Sequence, residues 1–405
     1  MPLQQTDLRG LLRLGVAGGV GITDLVEAVH HSIAARIGFD RASPEGRSSG
    51  LTGLIYGAVR GGLRGVGHGA DAALRLAEGS TAPAAATAER DAFMAALNGL
   101  WGDHLANSGN PLAIPMALRS DGVALPQDRA SLAARVAAPG RKLLVLVHGL
   151  CMNDRQWMRR GHDHGRMLAQ TLGYTPLYLH YNSGRHVSQN GRDFAALLQQ
   201  LLRAWPVPVD ELVILGHSMG GLVARSACHQ AELQQLPWLG ALKTLVCLGT
   251  PHHGAPLERG GRWLDLLLGV SRHVAPFARL GKTRSAGITD LRFGNLQDAD
   301  WQGRDRHAQQ HDDRQPTPLP AGVHTCLLAA STAQAPHRLH RALIGDGLVP
   351  LASALGRHHD PARVLQVPAS QRHVVSGCGH LDLLCHDEVR SQLLRWLGPT
   401  PLDLP

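Results

Sequence analysis

Apolar residues follow two different rhythms along this chain, and the change falls near residue 140. Before it, residues 24–33 and 50–76 repeat apolar side chains at helical spacing. The second stretch sets Leu54, Ile55, Val59, Leu63, Val66 and Leu76 against Arg60, Arg64 and Arg75. Its glycines weaken it as an isolated helix but let a neighbour approach closely. Residues 89–105 form a third helical pattern. Residues 1–139 are therefore expected to be a helical region, acting either as a structural cap or as a membrane-docking surface built on that apolar stripe.

After residue 140 the runs become short: 143–147 is unbroken, and the next strand candidates are 176–181, 211–215, 242–248, 323–330 and 363–367. Such runs suit buried parallel strands. Helical patterns lie between most of them, at 156–170, 191–205 and 220–236, with a last one at 383–396. Strands alternating with helices predict an α/β fold over residues 140–405, with a mainly parallel sheet covered on both faces. Its chemistry should gather at the carboxyl ends of the strands. Residues 252–321 are too long for a simple crossover and too patterned for disorder, so they read as an inserted cap. Within it, Trp263, Leu264, Leu267 and Phe277 are expected to line an acyl pocket, with a purely structural insertion as the alternative.

Gly216-His217-Ser218-Met219-Gly220 joins the 211–215 strand to the next helix. A serine between glycines at a strand-to-helix turn makes a nucleophile elbow: the turn leaves no room for side chains at 216 and 220. A serine hydroxyl needs a base, and the base needs an acid to hold its tautomer. On this scaffold the order is serine, acid, histidine. Asp346 follows the penultimate strand run between two glycines, and His380 follows the last one, so these two are the candidates for acid and base. Asp290 and Asp382 are the replacements considered for the acid. The backbone N–H groups of Leu150 and Met219 stand where an oxyanion would need donors.

The ordered set also includes 147–150, 181–185, Gly249-Thr250-Pro251-His252-His253-Gly254, 346–350 and 379–381. Over residues 141–398 it resembles α/β-hydrolases of the lipase and esterase group, most of all the PGAP1-like branch. The resemblance implies a triad of Ser218, Asp346 and His380 and hydrolysis of carboxylic esters, often of lipids. Acyl transfer or amide hydrolysis would use the same triad. A non-catalytic binding or membrane-docking protein on this scaffold is the competing class.

Composition narrows the partners. The chain has 405 residues, with 40 Lys and Arg against 32 Asp and Glu, for a net charge of +8 spread along its length. With only 4% aromatic residues and no basic arm, nucleic acid is not an expected partner. A lipid or small-molecule ester is expected, with peripheral contact to a membrane face. The six cysteines lack C-x-x-C spacing and read as reduced thiols. Asp298, Asp300, Asp312, Asp313, His307 and His311 make a weak metal signal, and no metal or cofactor is expected. The start of the chain lacks a basic leader followed by an apolar core, and no run has membrane-spanning length, so a cytoplasmic location is expected. Oligomeric state stays open.

Overall fold

The structure, a computed structural model, describes residues 5–36, 50–77, 87–136, 138–255, 285–305, 311–333 and 345–398. Contacts divide the chain into two units: residues 1–90 with 105–113, and residues 91–104 with 114–405.

In the first unit, helices α1 (Gln5–Arg36) and α2 (Gly50–Ala77) pack antiparallel, held by ion pairs at both ends. Asp71 accepts hydrogen bonds from Arg9 at 3.1 Å and from Arg13 at 2.7 Å. The Arg13 guanidinium, with that of Arg9, holds the Asp71 carboxyl well below the usual carboxylate range. At the other end Arg60 pairs with Asp24 and Glu27. The apolar stripe of α2 is split. Leu63 is partly covered, whereas Leu54, Ile55, Val59 and Val66 are 46–72% exposed. The Leu76 side chain lies outside the described residues.

The second unit is built on one eight-stranded sheet. Its strands are β1 (Ala117–Ser120), β2 (Val123–Ala124), β3 (Lys142–Val147), β4 (Thr175–His180), β5 (Glu211–His217), β6 (Leu242–Leu248), β7 (His324–Ser331) and β8 (Arg372–Ser376). The order is β2-β1-β4-β3-β5-β6-β7-β8. From β4 to β8 the pairing is parallel, while β1 runs antiparallel to β2 and β4. Alternation along each central strand feeds two cores. Leu143, Val145 and Val147 face one with Leu212 and Ile214; Leu144 and Leu146 face the other with Val213 and Leu215. Helices α3 (Ala88–Asn107) and α4 (Arg129–Arg135) precede β3 in the chain, and helices α6 (Val187–Ala204) and α7 (Met219–Leu233) cover the first face through Phe194, Leu198, Leu222 and Val223. Helix α5 (His164–Leu172) and the terminal helix Asp387–Leu397 cover the second through Leu168, Val389 and Leu393. Each such side chain contributes about 1.5–3 kcal/mol on burial, which is why these strands tolerate almost no polar residue.

The last strand is not at 363–367. That run lies between Pro361 and Pro368; it opens on the 3-10 turn Pro361–Arg363 and then continues without a ladder, burying Leu365 and Val367 in the core. The strand is β8, which starts with Arg372 and His373 and is only half-buried. The 156–170 helix likewise begins later, at His164, after the 3-10 turn Asp154–Trp157.

Candidate active site

Ser218 sits between β5 and α7 with φ 55° and ψ −125°. A non-glycine residue at positive φ is strained, and the strain persists only because the surroundings dictate it. They do so closely here. A Cβ on Gly216 would lie 2.6 Å from Gly221 Cα, and one on Gly220 would lie 2.1 Å from the Val147 carbonyl oxygen. The Ser218 N–H donates to Leu248 O at 2.8 Å, tying the turn to the end of β6.

The loop after β3 comes over this serine. A Cβ on Gly149 would stand 3.0 Å from Ser218 Cβ, so only glycine allows so close an approach. Among the described residues, neither the Leu150 N–H nor the Met219 N–H has a hydrogen-bond acceptor. The loop is braced from behind. Tyr181 Oη donates to His148 O at 2.8 Å and stacks on the His148 ring, and Cys151 N–H donates to Ser183 Oγ at 3.0 Å. Burial lowers the His148 pKa to about 3, so its ring is neutral, with Nδ1 2.9 Å from Gly149 O.

Asp346 and His380 meet beside the same strand ends. Asp346 Oδ1 accepts the N–H groups of Leu348 at 3.0 Å and Val349 at 2.8 Å, and Oδ2 accepts from His380 Nδ1 at 2.7 Å. The His380 N–H in turn donates to Asp346 O at 3.0 Å. Both side chains are buried. A Cβ on Gly249 would touch both, at 3.2 Å from Asp346 Oδ2 and 3.3 Å from His380 Cε1. Leu248 and Gly249 therefore adjoin the serine on one side and the aspartate–histidine pair on the other. The carboxylate holds a proton of His380 on Nδ1, which makes Nε2 the acceptor atom of that tautomer.

The two alternative acids are committed elsewhere. Asp290 accepts from Val187 N–H at 2.8 Å and Asn295 Nδ2 at 3.1 Å, and Asp382 pairs with Arg160 at 3.1 Å. The acyl-pocket candidates Trp263, Leu264, Leu267 and Phe277 lie outside the described residues, as does His307. Of the residues in the weak metal signal, Asp298 pairs with Arg192, Asp312 with Arg314, and Asp300 caps backbone N–H groups.

His217 was missed by motif reasoning. Its Nε2 donates to His380 O at 3.1 Å, and burial drives its pKa well below the usual histidine value. It is thus a neutral strut under the backbone of the aspartate's partner. Its place immediately before the serine was the only available signal.

The sheet order, the elbow after β5 and the later aspartate and histidine decide the fold. It is the α/β-hydrolase fold. Residues 140–302 match the PGAP1-like alpha/beta domain family, a span that includes Leu150, Ser218 and Met219 but neither Asp346 nor His380. No curated protein matches the chain. Solved structures similar to it include a Bacillus licheniformis lipase in its mature form, 15% identical, covering 70% of this chain and 98% of that one with a TM-score of 0.43. Phospholipase PlaB from Legionella pneumophila is 16% identical, covering 64% of this chain and 60% of that one, with a TM-score of 0.41. An esterase from Pyrococcus furiosus is 15% identical, covering 64% and 83%, with a TM-score of 0.36.

Proposed function

We propose that this α/β-hydrolase cleaves carboxylic esters through an acyl-enzyme on Ser218. The reading is carried by the buried Asp346–His380 pair adjoining a strained serine at one end of the sheet. His380 Nε2 takes the Ser218 proton as the hydroxyl oxygen attacks the ester carbonyl. The Leu150 and Met219 N–H groups receive the developing oxyanion, and the protonated His380 passes its proton to the leaving alcohol. Water activated by the same ring then releases the acid. Asp346, held by two backbone donors, stabilises the imidazolium that forms in each half-reaction.

The apolar 263–277 segment favours uncharged acyl esters of medium or long chain. Each methylene placed in an apolar pocket is worth about 0.8 kcal/mol. Turnover of p-nitrophenyl esters from two to sixteen acyl carbons is expected to rise in kcat/KM by roughly three- to fourfold per methylene until the pocket ends. A sharp optimum at acetate would remove the lipid-ester reading. Adding a competing alcohol separates the reactions: hydrolysis yields the free acid, whereas an acyltransferase would yield the new ester.

The exposed face of α2 supports peripheral attachment to a bilayer. Arg60 is committed to Asp24 and Glu27, so apolar insertion of Ile55, Val59 and Val66 is the larger contribution. Among the described residues no helix is long and apolar enough to cross a membrane. Full-length protein is expected to co-sediment with anionic vesicles, and Val66→Asp to lose most of that binding. Equal sedimentation of the two proteins, or none by either, contradicts attachment through this face.

A further inference from the structure

A cavity of about 630 Å³ lies on the α7 side of the sheet, and none of Ser218, Asp346 or His380 lines it. Its volume is typical of small-ligand pockets, which run roughly 300–1,000 Å³. Thr325, near the start of β7, forms part of its wall. Gly249, beside the proposed catalytic pair, bonds instead to Leu328, three residues and roughly 10 Å further along the strand. Leu296, Leu319, Val323 and Leu365 make the wall apolar on several sides.

The polar part of that wall is short of acceptors. Arg225, on α7, is 4% exposed. Its Nη2 donates to Thr317 O at 2.7 Å and its Nη1 lies 3.3 Å from His252 Nδ1. The Nε is buried without a partner among the described residues. Burial lowers the Arg225 pKa to about 10, which leaves it cationic at neutral pH. Because His252 Nδ1 faces a guanidinium, it acts as the acceptor and the ring proton sits on Nε2. That atom is also buried and unpartnered, as is Thr325 Oγ1. Arg225 Nε, His252 Nε2 and Thr325 Oγ1 are therefore donors on one cavity wall without an acceptor among the described residues, and both ring nitrogens of His253, on the same wall, are unpartnered too.

The nearby carboxylates are already used. Asp312 pairs with Arg314 and Arg363. Asp360 pairs with Arg363, and Asp300 accepts the N–H groups of Leu296, Gln297 and Gln315. Arg225 is thus a buried cation with no carboxylate partner among the described residues, a costly arrangement unless something anionic compensates it. Asp300, on the same wall, is satisfied by backbone N–H groups, so a single anionic group that meets Arg225 directly matches the site, and apolar walls beside it match a hydrocarbon tail.

We propose that this cavity binds an amphiphile with a carboxylate head, seated on Arg225, His252 and Thr325 with its chain along Leu319 and Leu365. The site goes beyond the hydrolytic reading and does not depend on it. Calorimetric titration of the full-length Ser218→Ala protein with dodecanoate, dodecanol and dodecyl phosphate tests it. Dodecanoate is expected to bind one per chain, roughly tenfold or more tighter than dodecanol, since a charge-assisted contact is lost with the alcohol. Thr325→Val, close in shape to the original, should weaken dodecanoate severalfold and leave dodecanol unchanged. Leu319→Trp, which fills the cavity, should weaken both. Equal affinity for dodecanol, tighter binding of dodecyl phosphate, or indifference of dodecanoate to both substitutions would overturn the assignment.

Discussion

Ser218→Ala is expected to lower kcat for p-nitrophenyl ester hydrolysis by roughly 10⁴-fold or more. The loss is large because the three groups act as a unit: without the hydroxyl, His380 has no nucleophile to activate. The fold should survive, since the elbow is set by Gly216, Gly220 and the Ser218 N–H bond to Leu248 O and not by the hydroxyl. Ser218→Gly sharpens the comparison. It should be equally inactive, yet glycine relieves a backbone strain of roughly 1–3 kcal/mol at φ 55°. A higher thermal midpoint for the glycine variant than for the alanine variant would show that the strain is held for the sake of the reaction. Wild-type turnover by either variant would remove Ser218 from the mechanism.

Asp346→Asn is expected to reduce kcat by about 10⁴-fold. An asparagine can still accept from Leu348 and Val349 through its carbonyl oxygen, so the turn stays formed. Its amide group, however, faces His380 Nδ1 as a donor. The ring then carries its proton on Nε2 and cannot accept one from Ser218. Asp382→Asn is the control, because that carboxylate pairs with Arg160 and caps Gly379 N–H without meeting the His380 ring. Steady-state kinetics on both variants, with less than a threefold change expected for the second, decides which aspartate is the acid. Comparable losses in the two would show that general destabilisation, and not the tautomer, was being measured.

How much of this was legible in the sequence follows from how each element is stabilised. The central strands β3, β5 and β6 are buried on both faces, so each carries a continuous run of four or five apolar residues, at 143–147, 212–215 and 245–248. The edges of the sheet were harder. β8 opens on Arg372 and His373 because one side of it meets solvent, whereas 363–367 looked like a strand but lies between two prolines. The β1–β2 hairpin was missed, although Asp121-Gly122 is a turn signal whose two residues both take positive φ, at 50° and 75°. Short edge strands carry too few apolar positions to show a period.

The site divides in the same way. Gly216, Gly220 and Gly149 were readable because close backbone contacts there exclude any side chain, and glycine is conspicuous. Asp346 stood out between two glycines. The roles of His217 and Tyr181 were not visible, since both act through single contacts to carbonyl groups distant in sequence. The Arg225 cavity was also hidden: an arginine on a helix reads as surface until the fold covers it.

Ser218 is proposed to be an activated nucleophile held ready by His380 and Asp346. A fluorophosphonate probe, followed by mass spectrometry of the intact protein and its peptides, tests this most directly. One adduct per chain is expected on the peptide carrying Ser218, with none in Ser218→Ala and much slower labelling of Asp346→Asn. Ester hydrolysis by an unlabelled protein, or labelling at any other residue, would contradict it.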